Sequence, residues 1–245
     1  MTQDKPEAML EVERRRAEFI AGVSHDLKTP LNGIIGFTSV ILADHAGRDT
    51  DLEQKLGMVY ESARVMLNRI NALVDFHRLE AGIKKPEPDW IAPIDLLKES
   101  TELHRVAAEK EGLELLLEQA GPTRIHTDMR LLSVALNEVL SNAVRFGRRG
   151  QIRVWMESKE QVERTQLCFC VADEGIGFKP EALAKLRRGL RPVDDGDHFE
   201  GLGLGLALAR LSLERLGGLL EVESQPGAGA TFRLCLDLPS EGIEA

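Results

Sequence analysis

The stretch Ser24-His25-Asp26-Leu27-Lys28-Thr29-Pro30-Leu31 sets an imidazole, a carboxylate, an ammonium and a hydroxyl side by side. Apolar residues recur at Ile20, Val23, Leu27, Ile34 and Ile41, with Leu31 between them, which is the stripe of an amphipathic helix. At about 100° per residue His25 lies about 200° from both Val23 and Leu27, and is predicted on the face turned to solvent. Asp26 is its neighbour and Thr29 follows one turn on along the same face. An imidazole that is largely neutral near pH 7 is a competent nucleophile when a carboxylate beside it orients the ring and takes its proton. The chemistry on offer is nucleophilic and covalent.

The C-terminal half holds a second set. Asp173-Glu174-Gly175-Ile176-Gly177 follows a strand-like run, Gly201-Leu202-Gly203-Leu204-Gly205-Leu206 opens a helix, and Gly227-Ala228-Gly229-Ala230-Thr231-Phe232 precedes a last strand. Neither the Gly-x-x-x-x-Gly-Lys-Ser/Thr loop nor a Rossmann Gly-x-Gly-x-x-Gly after a strand is present. Glycine admits positive φ and close approach of main chain to a ligand. At a helix N-terminus it leaves free N–H groups, and the positive end of the dipole, aimed at phosphate. Each segment taken singly also reads as a turn.

Ser24 to Leu31 resembles the phosphoacceptor box of sensor histidine kinases, Ser-His-(Glu/Asp)-x-(Lys/Arg)-Thr-Pro-Leu, and fits it at every position. The resemblance implies that His25 takes the γ-phosphoryl group of ATP with Asp26 as general base. It also implies that Thr29 positions the water that removes phosphate from the partner protein. The glycine segments, together with Leu140-Ser141-Asn142-Ala143, resemble the ATP-binding domain shared by histidine kinases, DNA gyrase, Hsp90-type chaperones and MutL-type repair proteins, over roughly residues 90–238. That likeness implies Asn142 as a Mg²⁺ ligand, Arg145 near the phosphates and Phe146 stacked on adenine. Asp173 would accept from the adenine N6 amine, with Gly175 and Gly177 shaping the pocket. Gly201, Gly203 and Gly205 would form the phosphate-side loop, and Thr231 would lie near the adenine end. The implied activity is ATP:protein-histidine phosphotransfer to a response regulator receiver domain, with dephosphorylation of that regulator as a companion activity.

Two positions depart from the family pattern. Histidine kinases commonly carry Asn four residues before Asn142; here that residue is Glu138, with Asn137 one position earlier. Spaced four apart, Glu138 and Asn142 share one helix face, so Glu138 is a candidate Mg²⁺ ligand or base. The lid, roughly residues 178–200, has Arg187 and Leu190 where kinases often carry a Phe-rich box. Two other readings stay open. One is a relay module that moves phosphate between regulators without making it; the other, favoured by Glu138 alone, is an ATPase.

These residues need elements to hold them. A helix is predicted from Pro6 to about Ala46, bent after His25 by Pro30, which removes a hydrogen bond, and weakened by Gly22 and Gly33. A second runs from about Asp49 to Ala81 and stops at Gly82; its heptad seam is Leu52, Leu56, Val59, Ala63, Met66, Ile70 and Leu73. The two make a hairpin with more apolar face than they can bury on each other, which predicts a symmetric homodimer with a four-helix bundle. A proline-rich joint spans 83–93. Beyond it a helix with Leu96, Leu97, Leu103 and Val106 inward, a helix from Asp128 to Arg145 and several period-two strands predict helices on one side of a mainly antiparallel sheet. The predicted fold is therefore multidomain. An all-α hairpin (1–82) forms a dimeric four-helix bundle and is followed by a linker (83–93). An α/β two-layer sandwich of the Bergerat/GHKL type (94–240) and a tail (241–245) complete it.

Composition narrows the classes. Hydrophobic content of 43% suffices for packed cores, and aromatics at 4% leave those cores to Leu, Val, Ile and Ala. A net charge of −9 argues against nucleic acid as partner. No apolar run is long enough to span a membrane, and the N-terminus lacks a signal-peptide apolar region. Cys168, Cys170 and Cys235 lack metal-ligand spacing, and Cys-x-Cys on one strand is poor disulfide geometry, so reduced thiols in the cytoplasm are expected. His45 and His77 read as solvated or boundary residues, and His104, His126 and His198 as structural or exposed.

Overall fold

The computed structural model describes residues 7–45, 50–83, 85–118, 120–148, 150–188 and 204–244. The chain divides into two compact units, Met1–Lys84 and Lys85–Ala245.

The first unit is a hairpin of α1 (Glu7–His45) and α2 (Thr50–Glu80), packed against each other. α1 continues through Pro30. Of the predicted stripe of α1, Leu31 is buried and Ile20 half-buried, but the rest is not the covered seam. Ser24, Leu31 and Thr38 are buried, a heptad apart, while Val23, Leu27, Ile34, Phe37 and Ile41 stay exposed. Thr38 is tolerated inside because its Oγ1 donates to the Ile34 carbonyl at 2.6 Å. On α2, Ala63 and Val74 are buried but Val59 and Met66 are exposed. Among the described residues a second apolar face thus stays exposed along both helices of this unit. His77, read as solvated from the sequence, is buried, with Nδ1 3.3 Å from a Glu80 carboxylate oxygen one turn on.

The second unit is built on a five-stranded sheet of order β2-β4-β5-β7-β6. The strands are β2 (Leu113–Leu117), β4 (Gly150–Glu160), β5 (Arg164–Asp173), β6 (Leu219–Ser224) and β7 (Ala230–Pro239). β2 runs parallel to β4 and the other neighbours are antiparallel. Alternate residues Ile152/Val154/Met156, Leu167/Phe169/Val171 and Phe232/Leu234/Leu236/Leu238 face one core. Helices α3 (Pro93–Lys110), α4 (Met129–Phe146) and α6 (Leu204–Arg215) contribute to the same core, giving the two layers expected. α4 buries Leu132, Ala135, Leu136, Val139, Leu140 and Ala143 at helical spacing. Each such leucine or valine contributes about 1.5–3 kcal/mol of burial, enough to fix which face of α4 is left for other work.

Three local expectations are corrected. Leu103 and Val106 of α3 are exposed; Leu96, Leu97, Ser100, Thr101 and Ala108 face in, because α4 and β2 approach that side. Part of the proline-rich joint is strand: β1 (Asp89–Ile91) pairs antiparallel with β3 (Arg124–Thr127). The expected tail contains a 3₁₀ turn at Ser240–Gly242 and β8 (Ile243–Glu244), which pairs with the other edge of β3.

The thiol expectation is also overturned. Cys168 and Cys235 form a disulfide, and Cys170 is free and buried. They lie 67 residues apart, but β5 and β7 are neighbours and these two residues are direct register partners. Burial pushes the Cys170 thiol up to about 12, so it stays protonated and unreactive. Thiol titration of the denatured, unreduced chain is expected to find the Cys170 thiol alone. Three titratable thiols would show the bond absent.

Candidate functional site

His25 stands on the uncovered side of α1, its side chain 82% exposed. Asp26 Oδ1 lies 3.5 Å from His25 Nδ1, at the outer limit of a hydrogen bond, so the carboxylate biases the ring's orientation more than it locks it. Thr29 is exposed and its Oγ1 donates to the His25 carbonyl at 3.2 Å, leaving the hydroxyl lone pairs outward. The three residues predicted to work together are therefore on one exposed surface, which helical geometry alone could supply.

The second site needs tertiary structure. Asp173 ends β5 with its side chain on the helix-facing side of the sheet, and its Oδ1 accepts from the Gly175 N–H at 2.8 Å. That turn is stitched to the β6–β7 hairpin. The Gly227 N–H donates to the Ile176 carbonyl at 2.7 Å and the Phe178 N–H to Ser224 Oγ at 2.9 Å, while Ser224 Oγ donates to the Gly229 carbonyl at 2.6 Å. Gly229 has φ +76°, and a Cβ there would run into the Asp173 carbonyl. Gly177 packs in the same way against the Gln225 carbonyl. Two glycine segments distant in sequence thus make one main-chain surface beside a carboxylate.

The other wall is α4. Asn142 and Glu138 lie on its half-buried face, and Gly205, in the first turn of α6, packs directly on them. A Cβ at Gly205 would strike Glu138 Oε2, and Asn142 Nδ2 would lie 3.9 Å away. An amide, a carboxylate and a helix N-terminus converge here, a donor set that suits phosphate with a divalent cation. Among the described residues no group of three or more His, Cys, Asp or Glu is gathered that could hold a metal ion by itself. Arg145 is exposed on the last turn of α4, its guanidinium 5.3 Å from the centre of the half-buried Phe146 ring. The Phe146 carbonyl accepts from the Ile176 N–H at 3.3 Å, joining the end of α4 to the Asp173 turn.

Not every predicted residue joins the site. Thr231 is on β7 between Ala230 and Phe232, both in the core, so alternation puts its side chain on the opposite face from Asp173. The register partner of Asp173 is Ala230, whose N–H also donates to the Asp173 carboxylate. Gly201 and Gly203 lie outside the described residues, as do Leu190 and His198; Arg187 falls in α5 (Pro180–Arg188). Ser224 and Gln225 escaped the sequence reading, since only the fold of the β6–β7 hairpin brings them to the Asp173 turn.

Burial pushes the Glu138 carboxyl above the ordinary glutamate range. It raises Asp173 as well, against the N–H donors of Gly175 and Ala230. A carboxyl with a raised folded value contributes stability that is full below its unfolded value and lost as pH rises through the folded one. Without nucleotide, Glu138→Gln is accordingly expected to melt above wild type at neutral pH, and the gap to shrink as pH is lowered. A gap independent of pH would show that Glu138 titrates as an ordinary glutamate.

Two family descriptions match the chain in tandem: His Kinase A (phospho-acceptor) domain over residues 15–82, and Histidine kinase-, DNA gyrase B-, and HSP90-like ATPase over residues 127–240. The chain is 34% identical over 237 residues to the sensor protein GacS of Pseudomonas syringae pv. syringae, a match that covers 94% of this chain and 26% of GacS. It is 32% identical over 247 residues to the aerobic respiration control sensor protein ArcB of Escherichia coli strain K12, covering 97% of this chain and 31% of ArcB. A crystal structure of full-length ShkA in complex with AMPPNP matches with a TM-score of 0.70 and 26% identity, over 91% of this chain and 46% of that one. The chain spans less than a third of these curated relatives' length. No described helix is long and apolar enough to cross a membrane.

Proposed function

We infer from these matches that the chain is the phosphoacceptor and ATPase core, in tandem, of a two-component histidine kinase. From that premise we propose that it phosphorylates itself on His25 from ATP and passes the phosphoryl group to an aspartate of a response regulator's receiver domain. The observation that carries the reading is His25: an exposed imidazole on α1 with Asp26 3.5 Å from Nδ1. Asp26 favours the tautomer protonated at Nδ1, which leaves the lone pair on Nε2. Nε2 attacks the γ-phosphorus, an N–P bond forms, the bond to the ADP oxygen breaks, and the ring proton at Nδ1 passes to Asp26. Positioning carries most of such a transfer.

Asp173 accepts from the adenine amine, Phe146 stacks on the ring, and Gly175 and Gly177 shape the pocket. Arg145 and the loop of Gly201, Gly203 and Gly205 meet the phosphates. Asn142 and Glu138 are the residues that would hold Mg²⁺, which supplies charge neutralisation at the phosphates. Thr29, with its hydroxyl lone pairs outward, orients water for removal of phosphate from the regulator. The exposed apolar face of Val23, Leu27, Ile34, Phe37, Val59 and Met66 supports a homodimer in which a second copy covers it. We assign dimerisation and phosphotransfer to residues 1–82 and nucleotide binding to 94–240, acting in the cytoplasm where ATP is supplied.

Incubation with γ-labelled ATP and Mg²⁺ is expected to leave label on the protein that is stable in base, lost in acid and mapped to His25. No label, or label that survives acid, overturns the reading. Glu138 at the phosphate end favours a second activity, slow ATP hydrolysis, recognised as phosphate release that persists in His25→Gln.

A further inference from the structure

Asp128 is the buried carboxylate among the described residues, 1% exposed, in the turn from β3 to α4. Its two oxygens serve different parts of the chain. Oδ1 accepts from the N–H groups of Arg130 at 2.9 Å and Leu131 at 3.2 Å, capping α4. Oδ2 accepts from the Glu87 N–H at 2.7 Å, 41 residues back, and from Arg130 Nη2 at 3.1 Å. Arg130 Nη2 also lies 3.3 Å from the Glu87 carboxylate. Burial alone would raise the Asp128 carboxyl; the N–H donors of Glu87, Leu131 and Arg130, with the Arg130 guanidinium, outweigh it and hold it below the ordinary range. These contacts are therefore kept above the ordinary aspartate range and lost only as pH falls below it.

Glu87 follows closely on the boundary between the two units at Lys84/Lys85. Asp89, opposite Thr127, begins the β1–β3 pairing just beyond. The capped helix is the one that bears Glu138 and Asn142. One carboxylate thus joins the point where the chain enters the nucleotide unit to the start of its phosphate-side helix.

We propose that Asp128 is a positioning residue that fastens the entering chain at Glu87, so setting the length of the connector between the phosphoacceptor unit and the nucleotide unit. By that means it sets the rate at which His25 is phosphorylated, with no part in holding nucleotide. The proposal rests on the phosphotransfer reading above. Its physical basis is effective concentration, which falls as a tether lengthens beyond the span it must bridge.

Two variants separate the fastening from the cap. Asparagine caps a helix as well as aspartate, so in Asp128→Asn the amide oxygen keeps the Arg130 and Leu131 N–H groups while the NH₂ meets the Glu87 N–H donor to donor. Glu87→Pro removes that N–H together with the Glu87 carboxylate 3.3 Å from Arg130 Nη2, in a Pro-x-Pro setting that suits proline, and the alanine control below isolates the N–H. Glu87→Ala keeps the N–H and is the control. In the full chain, the Glu87 amide of Asp128→Asn is expected to exchange at least about tenfold faster by NMR. In both disrupting variants, affinity for a non-hydrolysable ATP analogue should match wild type, and the single-turnover rate of His25 labelling at saturating ATP should fall about 1.5-fold, because β1 anchors the chain again at Asp89. Glu87→Ala should label as wild type does. Unchanged amide exchange or unchanged labelling overturns the proposal. So does analogue affinity that falls in step with labelling, which would make Asp128 a support of the nucleotide site only. A wild-type chain that takes up no label overturns the phosphotransfer reading instead, and the exchange comparison, which needs no nucleotide, decides the fastening by itself.

Discussion

His25→Gln is expected to abolish acid-labile labelling from ATP while leaving ATP-analogue affinity and melting temperature at wild-type values. The loss should be complete, because the amide of glutamine has no ring nitrogen with a free lone pair to form an N–P bond. The absence of a stability effect follows from exposure. The His25 side chain is 82% exposed, and among the described residues its polar side-chain contact is the 3.5 Å approach to Asp26. The Thr29 hydroxyl bonds the His25 main-chain carbonyl, which the substitution retains. Glutamine is also a good helix former, so the change in folding free energy should stay within about 0.5 kcal/mol. Base-stable, acid-labile label persisting in His25→Gln would falsify the assignment of the phosphoacceptor. Label lost together with nucleotide affinity would point to an indirect effect through the fold.

Asp173→Asn is expected to separate binding from stability in the opposite place. The Asp173 carboxylate offers Oδ1 to the Gly175 N–H at 2.8 Å, and an amide oxygen can take that role. The amide NH₂ then replaces the oxygen proposed to accept from the adenine amine, setting donor against donor. Losing a hydrogen bond to a charged partner inside a pocket costs about 1.5–3 kcal/mol, so analogue affinity should fall about 10- to 100-fold. Folding should hardly suffer. Burial has already raised the Asp173 carboxyl, so removing the ionised form offsets the weaker acceptor left for the Ala230 N–H. A change in unfolding free energy below about 1 kcal/mol at neutral pH is expected. Affinity unchanged in Asp173→Asn, measured by calorimetry, would remove this residue from the adenine pocket.

Glycine–carbonyl packing ties together the main-chain walls of the proposed adenine pocket. Gly229 against the Asp173 carbonyl, and Ser224 Oγ bridging the Phe178 N–H and Gly229 carbonyl, hold two loops at main-chain contact. None of these partners is adjacent in the chain. They meet because β5 and β7 are neighbours, with Asp173 paired to Ala230.

What the amino-acid order determined by itself was whatever depends on neighbours within a turn or a strand. The period of two in Leu167/Phe169/Val171 marks a half-buried strand whatever it packs on, and Asp128 capping α4 uses N–H groups two and three residues away. The exposure of His25 beside Asp26 and Thr29 belongs to the same class, because helical angles alone decide it. Tertiary structure decided which of two available faces was covered. α1 has apolar residues around more than one side, and only the fit of α2 selects Ser24, Leu31 and Thr38 over Val23, Leu27 and Ile34. It also decided every pairing across distance: Cys168 with Cys235, Ala230 rather than Thr231 beside Asp173, Gly205 on Glu138, and Glu87 on Asp128. Local periodicity reports that a side chain prefers to leave water; it carries no information on which distant surface receives it, since apolar burial has no direction of its own.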